Sequence, residues 1–336
     1  MGQQPQVSGC RPMFIYVVDT EGDNEWTQHR RLPPVRNALA LPRFQTLCDR
    51  YGIKPTYVVT WSYVAEESAC APLKEFCARG AAEVGTHLHP WTCPPWSTPW
   101  DDSETFPSEL PDPLLEEKLT HLTHGIKDRF GRSPTSYRAG RFGFDGRSAR
   151  ILQKLGYTVD SSVTPLKSWS HYTGIPGGPG GPDFSRAPLR PYWLDLTDPT
   201  RPGDSKLLEI PLTIVDQTRL PTGVDTLVGG LPEEHLVRRV LAKARLRRRL
   251  WLRPTVETVE AMVASCGEAQ AQGVPIFNMM IHSSELFANT SPYFPDQASV
   301  DRLFDRMDRT FDAIFKRWSP DPVTLTQAGE KIAALH

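Results

Sequence analysis

The sequence predicts an α/β protein in which short strands alternate with longer amphipathic helices around a parallel sheet or barrel. Apolar runs such as MFIYVV (13–18), PTYVVT (55–60) and FNMMIH (277–282) have the length of buried strands. Segments with helical periodicity separate these runs along the chain. A chain of 336 residues is also of ordinary length for a single barrel of this class.

Strands and helices are predicted in alternation over almost the whole chain. The strands lie at 13–18, 55–60, 81–85, 135–139, 157–161, 207–213, 277–282 and 322–326. The helices lie near 35–51, 66–79, 111–129, 145–155, 232–249, 255–272 and 298–317. Two proline-rich segments, 90–113 and 165–203, are too long and irregular for simple connections, so we interpret them as loops at the rim of an active site.

Composition excludes several classes of protein. A hydrophobic fraction of 39% with 23% charged residues is typical of a globular protein, and no apolar run approaches the length of a membrane span. A net charge of -1 gives no reason to expect nucleic acid as a partner. The N-terminus lacks the apolar core of a secretory signal, so we expect a cytoplasmic or already processed chain. We expect one domain over 12–336 after a flexible segment, 1–11.

An acidic triplet follows the first predicted strand. The stretch DTEGD places Asp19, Glu21 and Asp23 at steps of two. Residues two apart in extended backbone point to the same side, so Asp19 and Glu21 can share a face while Thr20 points away. Carboxylates at the carboxyl end of a strand are typical of an α/β active site. A solvated acidic turn would explain the same residues.

Two histidines stand two positions apart in EVGTHLHPW (83–91), behind the third predicted strand. His87 and His89 can therefore face one pocket. Imidazole pairs of this kind bind zinc and other divalent transition metals, with a carboxylate as third ligand and one position left for water. The alternative is one ring hydrogen-bonded in the core and the other exposed.

Two further predicted strands end in polar side chains. PTSYRAGRFGFD places Arg138 at a strand end and Arg141 among glycines, where an arginine could keep a carboxylate ionised or form a surface salt bridge. FNMMIHSSEL delivers His282, with Glu285 as one residue that could orient it as a general acid. Because the strands of a barrel meet at one rim, polar residues at four strand ends favour a shared site.

Two segments have unusual compositions. WTCPPWSTPW contains Trp91, Trp96 and Trp100, which could form a platform for sugar rings or anchor a long loop. The basic segment 235–254 contains seven arginines and one lysine and predicts a cationic amphipathic helix. Such a helix could contact an anionic membrane, a protein partner or an acidic glycan precursor, or simply be a solvated outer helix.

In their order and spacing, these motifs resemble those of the polysaccharide deacetylases of the NodB-homology type, over most of the chain. DTEGD resembles the acidic pair of that family, GTHLHPW its spaced histidines and YRAGRFG its arginine motif. DSSV (160–163) is similar to its aspartate-serine segment, and MMIHSSEL to its closing histidine motif. The resemblance implies an irregular (β/α) barrel of about seven strands with long rim loops.

The resemblance also implies roles for individual residues. Asp19 would be the base, Arg138 its partner and His282 the acid. The metal ligands would be Glu21, His87 and His89. Zinc is the ion we expect first, although cobalt, nickel or iron suit the same ligands. The residues expected to contact the substrate are Trp91, Trp96, Arg141, Phe142, Gly143, Asp160 and Ser161.

The activity implied by the resemblance is metal-dependent hydrolytic removal of N-acetyl groups, with O-acetyl groups as the less favoured case, from a sugar or glycan. Two alternatives stay open. One is a related hydrolase of small or cyclic amides, which would use the same cleft. The other is a barrel without catalysis that only binds a glycan or a protein partner.

The chain departs from the family pattern at three points. Thr20 separates the two acidic residues, so the roles of Asp19 and Glu21 could be exchanged, and Asp23 could substitute. Trp91 stands where the family has its second histidine, which leaves that ligand role to His89. The arginine motif carries one extra residue, so two arginines compete for the role beside the base. The chain is therefore expected to be a divergent branch.

Overall fold

The structure, a computed structural model, describes residues 11–28, 31–96, 105–172, 174, 180–231, 235–244 and 246–335. Most of the expected flexible N-terminus, and Trp100, lie outside these ranges. The strands are β1 (Met13–Thr20), β2 (Thr56–Val59), β3 (Glu83–Leu88), β4 (Ser136–Ala139), β5 (Val159–Asp160), β6 (Tyr192–Trp193), β7 (Leu208–Glu209), β8 (Ile214–Thr218), β9 (Arg247–Trp251), β10 (Ile276–His282) and β11 (Asp321–Pro322).

The helices alternate with these strands along most of the chain. They are α1 (Glu25–Gln28), α2 (Leu41–Asp49), α3 (Trp61–Ala65), α4 (Glu67–Ala78), α5 (Asp112–Phe130), α6 (Gly146–Lys154), α7 (Thr222–Gly229), α8 (Leu236–Lys243), α9 (Val259–Ala271), α10 (Gln297–Trp318) and α11 (Leu325–Ala333).

One curled sheet organises the fold. Within the described residues, seven strands run parallel in the order β10, β1, β2, β3, β4, β5, β7. Strand β6 adds to the β7 edge in the antiparallel sense, and β11 pairs with the start of β1. The predicted fold class, an α/β protein with an irregular (β/α) barrel and long rim loops, is confirmed.

Side chains of β1 alternate between two apolar clusters. Phe14 and Tyr16 belong to the larger cluster, between the sheet and the surrounding helices, whereas Ile15 and Val17 belong to a smaller cluster inside the curled sheet. Asp19 continues the inner series two residues beyond Val17. The period of two thus brings Asp19 to the interior at the carboxyl end of the strand, where parallel sheets carry their sites.

The C-terminal segment contributes to the inner cluster through a helix. The prediction of a strand over 322–326 is wrong, because β11 is only two residues long and α11 follows directly. Thr324 caps this helix by accepting a hydrogen bond from the backbone N–H of Gln327. A helical stripe then packs against the inner face of the sheet. It consists of Leu325, Ala328 and Ile332.

The prediction of one cationic helix over the basic segment 235–254 is wrong. Helix α8 covers only its first part, and the second part forms β9, which pairs with β8. Asp216 of β8 binds Arg247 and Arg249 of β9 at 2.7 and 2.9 Å, so cross-strand ion pairs favour the strand. Membrane or protein contact through this segment stays a prediction. No helix in the described ranges is long and apolar enough to span a bilayer.

A buried amide closes the gap in the sheet between β7 and β10. Asn278 Nδ2 donates to the carbonyl oxygens of Ile210 and Pro211 at 3.0 and 3.1 Å, and to the Ser161 hydroxyl at 2.9 Å. The backbone N–H of Thr213 donates to the Asn278 carbonyl at 3.1 Å. One side chain therefore joins β10 to the segment that follows β7, between which the described residues form no regular ladder.

Replacing Asn278 by alanine removes the amide that donates to three buried oxygens and opens a small cavity. We expect the free energy of unfolding to fall by about 2–4 kcal/mol. Urea unfolding followed by circular dichroism measures this loss. Gln297→Ala, at an exposed amide in the first turn of α10, is the matched control and should change it by less than about 0.5 kcal/mol. Equal losses in the two variants would contradict the closing role of Asn278.

Candidate metal centre

A cleft of about 270 Å³ opens at the carboxyl ends of the parallel strands. Asp19 and Glu21 enter it from the end of β1, His87 and His89 from the end of β3, and His282 from the end of β10. Asp19 lies directly opposite His282 in the ladder between β1 and β10. The parallel register therefore brings together the polar residues that the sequence places at separate strand ends.

Glu21, His87 and His89 form a group that could hold a metal ion. One ligand atom from each lies within 4.8 Å of the other two. Glu21 Oε2 is 3.7 Å from His89 Nε2, is buried, and accepts no hydrogen bond from the described residues. A buried carboxylate oxygen in this state is stabilised by a cation. One carboxylate with two imidazoles is a ligand set that suits zinc and related ions, so the residues fit a divalent metal.

Hydrogen bonds at Nδ1 set the orientation of both imidazoles. His87 Nδ1 lies 2.8 Å from the carbonyl oxygen of Arg138, which can only accept, so Nδ1 carries the proton. His89 Nδ1 lies 2.7 Å from Glu25 Oε1. Burial lowers the pKa of His87 to about 3, so this ring is neutral at physiological pH. The Nε2 lone pairs of both rings are thus left for a metal.

Glu25 is a residue of the candidate site that sequence reasoning missed. It begins α1 and is fully buried, and its Oε2 accepts from the backbone N–H of Gly22 at 2.5 Å and from the Thr60 hydroxyl at 3.2 Å. Burial would raise the pKa of Glu25, but the hydrogen bonds that it accepts, first from His89 and then from the backbone of Gly22, lower it overall. An ionised carboxylate therefore orients His89. The one signal in the sequence is spacing: Glu25 extends the series of acidic residues at every second position that begins with Asp19.

The two carboxylates at the end of β1 have different environments. Asp19 Oδ1 accepts from Arg138 Nη1 at 2.7 Å. Burial would raise the pKa of Asp19, but the charge of Arg138, together with His87, His282 and the hydrogen bond from Arg138, lowers it overall. Burial raises the pKa of Glu21 well above its usual value, and the neighbouring Glu25 and Asp19 raise it further. Asp19 is therefore stabilised as a carboxylate by the arginine, whereas Glu21 would need a cation to stabilise its ionised form.

Asp23 and the second arginine do not take the alternative roles that the sequence left open. Asp23 Oδ2 accepts from Arg36 Nε at 2.6 Å, and its Oδ1 accepts from Asn37 Nδ2 at 2.9 Å, so it turns away from the cluster. Arg141 lines the cleft without contacting Asp19. Arg138 is the arginine beside this carboxylate.

Three charged side chains surround His282. Its Nε2 lies 3.8 Å from Asp19 Oδ2, and its Nδ1 lies 3.3 Å from Glu285 Oε1 and 3.2 Å from Arg253 Nη2. Arg253 also donates to Glu285 Oε1 at 3.0 Å. Burial would raise the pKa of Glu285, but Arg253 and then His282 lower it to about 2. Glu285, an orienting residue suggested by the sequence, and Arg253, which sequence reasoning missed, together hold the ring.

The two tryptophans that the structure describes in the segment behind the histidines, Trp91 and Trp96, do not form a platform in the cleft. Trp91 is fully buried and stacks on His89, with ring centroids 4.3 Å apart and an interplanar angle of 23°, so it supports a proposed ligand. Trp96 does not line the cleft, and its indole N–H donates to the Thr92 carbonyl at 3.1 Å. Lys118 holds this turn from below through three backbone carbonyls. Its Nζ donates to Pro90, Cys93 and Pro95 at 2.9, 2.7 and 2.6 Å.

Three further predicted substrate contacts lie outside the cleft lining. Asp160 and Ser161 are fully buried in the strand layer behind it. Ser161 accepts from Arg138 through its carbonyl at 2.8 Å and its hydroxyl at 3.1 Å, so it positions the arginine. Gly143 packs so closely that a Cβ there would lie 2.8 Å from Pro107 Cδ. Arg141 and Phe142, by contrast, do line the cleft.

Aromatic rings line the cleft around the polar cluster. They are Trp26, Phe106, Phe142, Trp169, Tyr172 and Tyr293. Three of these belong to the two proline-rich segments interpreted as rim loops. Sequence reasoning identified only Phe142 among the six, because the aromatic residues of loops carry no periodic signal that tells which side they face.

Replacing Glu25 by glutamine keeps the shape of the side chain but removes the charge that orients His89. We expect zinc affinity to fall by roughly 10–100-fold while the fold is retained. Competition between the protein and a chelating dye measures this change. Glu330→Gln, at an exposed glutamate of α11, is the matched control. Unchanged zinc affinity in the Glu25 variant would show that this carboxylate does not support a metal ligand.

Glu285 should make stability depend on pH. Its pKa falls from 4.5 to about 2 in the folded protein. The ionised group therefore stabilises the fold fully above pH 4.5, and this contribution is lost as the pH falls towards 2. The stability difference between the native protein and Glu285→Gln should shrink by roughly 2–3 kcal/mol between about pH 7 and about pH 2.5.

Urea unfolding at a series of pH values measures the difference for Glu285. Glu75→Gln, at an exposed glutamate of α4, is the control, and its difference from the native protein should stay nearly constant. A constant difference for Glu285→Gln as well would mean that its carboxylate gains nothing from Arg253 and His282.

No protein-family model and no curated protein matches the sequence. Solved structures do match. A candidate polysaccharide deacetylase from Mycobacterium smegmatis is 15% identical, with 99% of this chain and 95% of that chain covered and a TM-score of 0.52. A candidate glycoside hydrolase or deacetylase from Parabacteroides distasonis is 12% identical, with 95% and 71% covered and a TM-score of 0.62.

An allantoinase is 10% identical, with 100% of this chain and 95% of that chain covered and a TM-score of 0.52. At these identities the similarity is one of fold. The chain therefore has the fold of structures described as polysaccharide deacetylases, which an allantoinase shares.

Proposed function

We propose that this chain is a metal-dependent hydrolase that removes acetyl groups from an N-acetylated sugar or glycan, and that residues 12–336 form one domain. The observation that carries the proposal is the meeting of two groups in one cleft. These are the ligand group Glu21, His87 and His89 and the facing pair Asp19 and His282. The neighbours described as deacetylases support an acyl hydrolase.

The ligand group would hold a divalent cation, for which zinc is our first choice. When bound there, such a cation supplies Lewis-acid activation of the acyl carbonyl and of the attacking water. Glu25 would keep the His89 ring directed at the cation, and the Arg138 carbonyl would do the same for His87.

Asp19 would act as the general base. Arg138 binds its Oδ1 and lowers its pKa, so the carboxylate is ionised at neutral pH. The other oxygen, Oδ2, faces the cleft beside His282 and can accept a proton from water. Because one oxygen is fixed by a fully buried arginine, the second has a defined direction.

His282 would act as the general acid. An amide nitrogen is a poor leaving group unless it receives a proton, and a protonated imidazole can supply one. Asp19 Oδ2 lies 3.8 Å from Nε2 and Glu285 Oε1 lies 3.3 Å from Nδ1, so a carboxylate lies near each nitrogen of the ring. This acid is the reason for proposing N-acetyl over O-acetyl groups, since an ester has less need of one.

A second candidate is a hydrolase of small or cyclic amides. Two observations favour it: an allantoinase shares the fold over nearly the whole of both chains, and the cleft is small, at about 270 Å³. Pockets for drug-sized ligands usually measure about 300–1,000 Å³. The cyclic amide allantoin therefore belongs in any test of substrates. The third alternative, a barrel that only binds a glycan, predicts no turnover of either kind.

The proposal is tested by metal analysis and by release of acetate from a panel of N-acetylated and O-acetylated sugars. We expect stoichiometric metal that is lost, together with activity, in His87→Ala and His89→Ala. Asp19→Asn should keep the metal and lose activity by roughly 10²–10⁴-fold. His124→Ala, at an exposed histidine of α5, is the matched control and should keep both.

The panel distinguishes the candidates. Release of acetate from N-acetylated sugars supports the first candidate, and hydrolysis of allantoin without release of acetate supports the second. Full metal content in both histidine variants would overturn the proposed ligand group. A native protein that holds metal but hydrolyses neither class would favour a binding protein.

A further inference from the structure

We propose that Arg141 binds an oxyanion of the substrate, so that the molecule hydrolysed in this cleft carries a carboxylate or a phosphate in addition to its acyl group. The inference rests on the proposed function in one respect, namely that the acyl group sits at the metal centre. In this proposal Arg141 forms a binding subsite beside the metal centre, and the expected substrates are sugars or amides that carry an acidic group.

Among the residues that the structure describes, Arg141 lines the cleft without an ion-pair partner. Its guanidinium carbon lies 4.2 Å above the ring centroid of Phe106. None of the described residues accepts a hydrogen bond from it or forms an ion pair with it. The other guanidinium that lines the cleft, Arg253, is paired with Glu285 at 3.0 Å. The contact with the Phe106 ring pairs none of the N–H groups of Arg141 with an oxygen acceptor, so these groups can bind a planar, bidentate partner.

The backbone holds Arg141 in an uncommon conformation. Arg141 and Phe142 have φ values of 52° and 57°, in the left-handed region that L-residues rarely adopt. Phe142 is clamped by Trp169, with ring centroids 5.3 Å apart and an interplanar angle of 22°. On the other side, Gly140 packs so closely that a Cβ there would lie 2.4 Å from His89 Cδ2.

This turn is therefore held between a proposed metal ligand and a rim loop. A strained turn that persists at a cleft is consistent with a functional constraint on the side chain it directs. Here the turn directs a guanidinium to the wall of the cleft, within the same lining as Asp19 and Glu21.

The surroundings of Arg141 leave its charge incompletely compensated. The wall beside it is aromatic, and burial lowers its pKa, while Glu109 acts in the opposite direction without forming an ion pair. Glu109 Oε1 instead accepts from the backbone N–H of Gly174 at 3.1 Å. Partly buried arginines of purely structural role are normally paired. A carboxylate or phosphate of a ligand would supply the missing partner with two parallel hydrogen bonds.

Binding of three acetamido sugars to the native protein tests the inference. The probes are neutral N-acetylglucosamine, its 6-phosphate, and 2-acetamido-2-deoxyglucuronic acid, which carries a carboxylate. The intrinsic fluorescence of Trp26 and Trp169, both in the cleft lining, gives the dissociation constants without any turnover. We expect at least one acidic probe to bind about tenfold more tightly than the neutral sugar. Comparison of the phosphate probe with the carboxylate probe shows which oxyanion is preferred.

Substitutions test whether Arg141 causes the preference for acidic probes. Arg141→Met should bind N-acetylglucosamine with the affinity of the native protein. Its affinity for the two acidic probes should fall to that same value. Arg141→Lys should retain part of the preference, because it keeps the charge but loses the bidentate geometry. Arg309→Met removes the same charge from the exposed surface of α10 and should keep the full preference. Circular dichroism verifies that each variant is folded.

Equal affinity of the native protein for all three probes, or a preference that survives Arg141→Met, would overturn the inference. Failure of both acidic probes to bind would overturn it as well. Failure of the proposed function has a different signature: the protein would release no acetate and hold no metal, yet would still prefer acidic probes in an Arg141-dependent manner.

Discussion

The buried ion pair between Arg138 and Asp19 is the interaction on which the rest of the site depends. An isolated charge at either position would be costly, because both side chains are almost completely excluded from solvent. The remaining N–H groups of Arg138 bind Ser161 of the neighbouring chain segment, and Asn278 donates to the same Ser161 hydroxyl. The closure of the sheet and the position of Asp19 thus belong to one hydrogen-bonded network, which runs from β10 through Ser161 to β1.

Two carboxylates at one strand end acquire different properties from their surroundings. Asp19 meets a guanidinium and stays ionised, whereas Glu21 lies among other carboxylates and the two imidazoles and favours a cation or a proton. Environment alone can separate two chemically similar acids into distinct roles. Thr20 lies between the two acidic residues, so Asp19 and Glu21 both point to the inner face of the barrel but at different positions along it. Each carboxylate can therefore have its own environment.

The sequence predicted the convergence of Asp19, Glu21, His87, His89 and His282 because the rules involved are local and general. Alternation along a strand determines which side chains point inward, and parallel strands bring their carboxyl ends together. Contacts between residues far apart in the sequence could not be predicted. The basic segment became a strand because an aspartate on a distant strand pairs with its arginines, and no local pattern shows that partner. The direction of tryptophans in irregular loops likewise depends on packing that only the folded chain specifies.

The indole of Trp91 would slow the exchange of an ion held by the proposed ligand group. A ring stacked against His89 prevents that imidazole from swinging aside, and the turn that carries the indole is tied down by the buried ammonium group of Lys118. Departure of an ion would then require the whole turn to lift. A centre built in this way should exchange its ion slowly even if its equilibrium affinity is ordinary, so the chain would keep whichever ion it captured while folding.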